Sequence, residues 1–159
     1  MDFINRKEYN VKSVKTSSTD RGYYFTGTLT NKGKIIASFV DKGDGGCMTI
    51  DFIKESDKDM LTLFLVENHL DISNNGEFLD TFIATLCDEN DLIKKIKRAR
   101  NKKTFFYLIS DYTEFGPTLR ELNLPYGEKA LKYLENKYSE NIGLIYNKSL
   151  EIFPDNYIS

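Results

Sequence analysis

RGYYFTGTLT (21–30), NKG (31–33) and KIIASFV (34–40) run consecutively, and the way they are read decides the fold. The first segment alternates bulky and small residues, and the last is short, β-branched and apolar, which is strand patterning. Between them, Gly33 can take the positive φ that a tight hairpin needs. A second turn, KGDGG (42–46), leads into CMTIDFI (47–53), and NVKSVKT (10–16) lies upstream as a candidate first strand. The expectation is an antiparallel N-terminal β-meander of three or four strands.

Helical spacing follows. Ser56 with Asp59 three residues on makes a start resembling a capping box, and Leu61, Phe64, Leu65 and His69 continue it at i, i+3, i+4 and i+8. SNNG (73–76) breaks the pattern. From about Glu77 a second stripe carries Leu79, Phe82, Ile83, Leu86, Ile93 and Ile96. CDEND (87–91), with Asp88 as a candidate cap, leaves open whether this is one helix or two. KTFFYLIS (103–110) and PTLRELN (117–123) read as a strand hairpin with DYTEFG as its turn. PYGEKALKYLENKYSEN (125–141) reads as a helix opened by Pro125, with Ala130, Leu131, Leu134 and Tyr138 at helical spacing, and IGLIYN (142–147) as a closing strand. The reading is a single α+β domain over 1–159, with an N-terminal meander, a central helical segment and a C-terminal β-β-α-β unit.

The 159 residues suffice to bury a core without staples. Twenty-four acids against 22 bases leave a formal charge of −2. That balance disfavours a strongly basic nucleic-acid binder and an acidic mimic of nucleic acid alike. The opening MDFINRKEYN has no apolar core of a signal peptide. The run MLTLFLV (60–66) is far short of the ~18 residues a membrane span needs. Two cysteines make no disulfide framework, and a reducing cytoplasm is the expected setting.

VDKGDGGCMTID (40–51) is the stretch most like a site. It lacks the Lys-Ser/Thr pair and following helix of a phosphate loop, and the G-x-G-x-x-G of a dinucleotide fold. Asp41, Asp44 and Asp51 offer oxygens to a divalent cation, but without the ligand spacing of a calcium loop. A thiol site would need Cys47 to meet His69, the single histidine. The plainer reading is a hairpin connection whose glycines take positive φ, with Asp41, Gly43, Asp44, Gly45 and Gly46 as a partner-binding loop. No cofactor or metal is expected.

KKIKRARNKK (94–103) gathers Lys94, Lys95, Lys97, Arg98, Arg100, Lys102 and Lys103 with no acid among them. These are candidate contacts to nucleic acid or an acidic partner. They equally suit a helix end, where cations complement the macrodipole as Asp88, Glu89 and Asp91 would at its start. In EFGPTLRELNLPYGEK (114–129), Glu114, Glu121 and Glu128 are expected to be solvated or paired with Arg120.

The G-K-x-x-A strand (Gly33, Lys34, Ala37), the D-x-G-x-G-G turn (Asp41, Gly43, Gly45, Gly46) and N-x-P-Y (Asn123, Pro125, Tyr126) resemble small accessory proteins of bacteriophages and other mobile elements. That resemblance carries no activity and transfers no catalytic residue. It implies an accessory protein in the cytoplasm of an infected bacterium. The expected function is stoichiometric binding to a host protein, as an inhibitor of a defence or metabolic factor. A nucleic-acid-binding module using 94–103 is the alternative, and a metal-dependent hydrolase on the 41–51 loop a further one.

Overall fold

A computed structural model describes residues 8–68, 78–113 and 116–149. His69, the SNNG break, Glu77 and Glu114 lie outside the described residues. The chain is α+β. The described residues up to Asn90 form one compact unit and those from Asp91 form another.

In the first unit, β1 (Tyr9–Thr19), β2 (Gly22–Asn31), β3 (Lys34–Asp41) and β4 (Thr49–Phe52) make an antiparallel sheet in sequence order. Period-2 patterning sets its faces. Val11, Leu29, Ala37 and Phe52 stand in one row across the four strands, and Gly27, Phe39 and Ile50 in the next. Both rows turn to the core. The alternate row, Lys12, Thr28, Ser38 and Asp51, turns away from it. Burying a Val, Leu or Phe side chain contributes about 1.5–3 kcal/mol, so a one-residue slip that swapped these faces is strongly disfavoured. Gly27 is required by packing: a Cβ there would stand 2.6 Å from Cζ of the fully buried Phe39.

Two irregularities adjust the sheet. Ile36 is inserted between the Leu29–Ala37 and Thr30–Ile35 pairs and stays buried. In β1 the register shifts between Lys12 and Lys15, where Ser13 takes φ +54°. This bulge moves the inward set from Tyr9 and Val11 to Val14.

Helix α1 (Glu55–Glu67) and the first turns of α2 (Phe78–Ala99) close the core with Leu61, Leu65, Phe82, Ile83 and Leu86. The capping box at Ser56 is not formed: the cap lies two residues earlier, at the extended Lys54, with no side-chain cap bond. Ser56 is thus already inside the first turn. Helix α2 is a single helix, because Leu86, Asn90 and Ile93 stay buried through CDEND and no Gly or Pro interrupts it. Asp88, Glu89 and Asp91 therefore lie mid-helix, and Asp80 is the acid in its first turn.

The second unit is built on β5 (Thr104–Leu108), flanked by two strands that come later in the chain, at Arg120–Leu122 and Ile142–Ile145. A short ladder, β6 (Tyr112–Thr113) with β7 (Gly116–Pro117), intervenes before β8 (Arg120–Leu122). Then follow α3 (Glu128–Tyr138), β9 (Ile142–Ile145) and α4 (Tyr146–Ser149). Strand β5 is covered on both faces. Phe105 packs with Ile96 and Tyr146, while Phe106 and Leu108 pack with Leu134. TFFYL is accordingly a continuous apolar run rather than an alternating one. Helix α3 begins three residues past Pro125, at Glu128.

The predicted closing strand ends at Ile145, two residues short of Asn147. The reason is a side chain standing in for backbone. Asn147 Oδ1 accepts the Phe105 N–H at 2.6 Å, and its Nδ2 donates to Lys103 O at 3.2 Å. The amide thus continues the β5 ladder where α4 has already turned away. Asn147→Ala should orphan a buried N–H and cost about 2 kcal/mol, read as a lower urea midpoint at unchanged slope. An unchanged midpoint would show that the amide is dispensable.

Candidate functional site

The glycine loop is held by its own acids. Asp41 Oδ1 accepts the Gly43 N–H at 2.8 Å, and Asp44 Oδ1 accepts the Gly46 N–H at 3.0 Å. At the exit, Met48 N–H donates to Asp80 Oδ2 at 2.9 Å. Gly43 (φ +66°) and Gly45 (φ +84°) both take the left-handed conformation, but only Gly43 is packed, with its Cα against the Tyr23 backbone. Asp80 had no sequence signal, since nothing local ties a helix's third residue to a loop 32 positions earlier.

Beside the loop lies an open cleft of about 270 Å³, bordered by Asp41, Gly46, Cys47, Asp80, Thr81 and Ala84. Among the described residues that line it, none is a cation. Its charged lining is therefore acidic, from Asp41 and Asp80. Cys47 is exposed, yet reactive thiols belong to electropositive surroundings, and here the neighbours are two carboxylates. Asp51 does not join them. It sits opposite Ser38, on the face turned from the core, whereas Asp41 shares the face of Phe39. Among the described residues no group of three or more His, Cys, Asp or Glu is placed to hold a metal ion.

The basic run spans the last turns of α2 and the turn into β5. Lys97 and Arg98 sit at the negative end of the helix dipole. The backbone N–H groups of Lys102 and Lys103 both return to Ala99 O, at 2.9 and 2.8 Å. An acid reaches the run from β8: Glu121 meets Lys95 at 2.7 Å and Lys103 at 2.5 Å. Those two ammonium groups hold its carboxyl down to about 2. Lys95 also lies 5.7 Å from the Phe105 ring centroid. Arg98, Arg100 and Lys102 remain exposed, while Lys94 and Lys97 are half-buried.

Arg120 does not pair with Glu121, because strand alternation sends neighbours to opposite faces. It forks instead onto Asp111, with Nε at 2.5 Å from Oδ2 and Nη2 at 2.7 Å from Oδ1. The guanidinium hydrogen bonds keep the Asp111 carboxyl below its usual range.

Helix α1 carries the surface that the periodicity passed over. Of MLTLFLV only Thr62 is polar, and one helix cannot bury such a run on a single side. Leu61 and Leu65 are fully buried, whereas Met60, Leu63 and Val66 are 56, 58 and 47% exposed. The signal was available, as an apolar run too wide for one stripe.

Adding a Cβ at Gly43 meets both the left-handed penalty and the Tyr23 backbone, while at Gly45 it meets open space. Gly45→Ala should cost about 1 kcal/mol and Gly43→Ala clearly more, roughly 2–3 kcal/mol; equal losses would contradict the packing. For Glu121 the folded pKa, about 2, lies below the ordinary 4.5. Its stabilisation is therefore complete above about pH 4.5 and lost as pH falls towards 2. Glu121→Gln should lower stability at pH 7 by about 1 kcal/mol, screened by its partial exposure, and match the wild type near pH 2. Comparison with protein-family models, with curated proteins and with solved structures returns no match for this chain.

Proposed function

We infer that this chain acts by stoichiometric binding to another protein, through the outer face of α1. One observation supports the reading: Met60, Leu63 and Val66, at i, i+3 and i+6, form an exposed apolar row on a helix already anchored by Leu61 and Leu65. Single exposed apolar residues are ordinary, but a contiguous row on a rigid element is the kind of surface that partners bury. The loop at 41–46 remains a second contact candidate, although its acids are engaged with its own backbone. The setting we propose follows the sequence resemblance: a bacteriophage- or mobile-element-borne protein in a bacterial cytoplasm, inhibiting a host defence or metabolic protein. Among the described residues no helix is long and apolar enough to cross a membrane.

A second reading, nucleic-acid binding, draws on the exposed Arg98, Arg100 and Lys102. It asks less of the basic run than the sequence suggested, since Glu121 engages two of its seven cations. A metal-dependent hydrolase gains no support from acids on opposite sheet faces.

The test is capture from bacterial lysate on the immobilised full chain, with and without nuclease, beside a Met60→Gln/Leu63→Gln/Val66→Gln variant. The expected result is one protein at about equimolar yield, retained after nuclease and lost from the variant. Capture unaffected by the variant would remove α1 from the function. A 260 nm signal abolished by nuclease, with binding falling as about the second to third power of salt for three phosphate contacts, would favour the second reading.

A further inference from the structure

The outer face of α1 has a sign as well as a hydrophobicity. At about 100° per residue, Leu63 is flanked by Asp59 and Glu67 at about 40° on either side, with Glu55 at about 80°. Met60 and Val66 lie about 60° either side of it. Lys58 lies about 140° away, and its Nζ is 3.7 Å from Glu55. The apolar row is thus set among three exposed acids. Glu67 has a second peculiarity. It stands in the last turn, at the negative end of the dipole, where among the described residues α1 carries no base. An acid there is unfavourable for the isolated helix, and a cation supplied from outside would relieve it.

We propose that this face receives a cationic amphipathic helical segment of another protein, its apolar side on Met60, Leu63 and Val66 and its Lys or Arg residues against Asp59 and Glu67. The proposal rests on the protein-binding reading and specifies the partner's chemistry. Charge selects this occupant over the others. A second copy, packed antiparallel about a two-fold axis at Leu63, would set Asp59 of each chain against Glu67 of the other, a like-charge contact. Phosphates of nucleic acid or of an anionic membrane would meet the same acids. Only a basic partner gains from both the apolar row and its rim.

The probe is a labelled helical peptide of about four turns with leucines on one face and lysines on the other. Its counterpart carries glutamates in place of the lysines. Both are titrated by fluorescence anisotropy against the full chain. The Leu/Lys peptide should bind at least about tenfold tighter than the Leu/Glu peptide at low salt, with the gap narrowing as salt rises. Leu63→Gln leaves the charge untouched and should weaken binding by roughly tenfold or more. Asp59→Lys/Glu67→Lys should erase the preference for the basic peptide. All these residues are exposed, so an unchanged circular dichroism spectrum and melting midpoint serve as the folding control. If both peptides bind equally and both depend on Leu63, the basic specificity is wrong and the docking face stands. If neither depends on Leu63, the docking face falls as well. A wild-type dimer in sedimentation that Leu63→Gln dissolves would assign the face to a second copy and overturn the proposal.

Discussion

The pairing of Leu29 with Ala37 is the contact on which the first unit depends. It puts Val11, Leu29, Ala37 and Phe52 into one buried row, and the next row places Phe39 over the bare Cα of Gly27. Once those rows face inward, the side of the sheet against which Leu61, Leu65, Ile83 and Leu86 pack is determined. The same pairing carries β3 to Asp41 opposite Phe25, and so sets where the glycine loop departs and why Gly43 reaches the backbone of Tyr23. Loop, cleft and helix positions all follow from one register.

Charge is distributed with less economy. The acids of the glycine loop bind backbone N–H groups, so their negative ends are directed inward and organise the loop. Glu121 gathers two lysines, and Asp111 takes the guanidinium of Arg120. On the α1 face, by contrast, acids surround apolar side chains, and the cation beside them, Lys58, lies against Glu55 at the rim. Residues whose charges are matched at home hold the fold together, and those left facing outward are available for recognition.

The strands and the helix stripes were legible because their signal is local: RGYYFTGTLT alternates bulky and small residues, KIIASFV is a short β-branched apolar run, and Phe82, Ile83, Leu86, Ile93 and Ile96 recur at helical spacing. What escaped was non-local. Asn147 ends a strand by bonding 42 residues away, and Glu121 answers lysines 18 and 26 residues earlier in the chain. The Ser56 capping box failed because a two-residue shift of the cap, to Lys54, removes the geometry that the motif assumes. The candidate site was legible in part. Two of the loop's three glycines, Gly43 and Gly45, take the expected positive φ and Gly46 does not; Asp80 has no sequence mark, and the outer row of α1 lies in the same run as the inward stripe of Leu61 and Leu65.

Among the described residues strand β1 forms one edge of the four-stranded sheet, and the outward N–H and C=O groups of an edge strand are a template for pairing by another chain. Its bulge at Ser13 alters that edge. A left-handed residue halfway along an eleven-residue strand twists the row of backbone groups out of line, and Lys12 and Lys15 set like charges on either side of the kink. An incoming strand can match only one half at a time, and a second copy meets repulsion at the break. The irregularity that redirects Val14 into the core thereby also guards the sheet against growing into a fibril, leaving sheet-edge addition poorly suited as a mode of self-association.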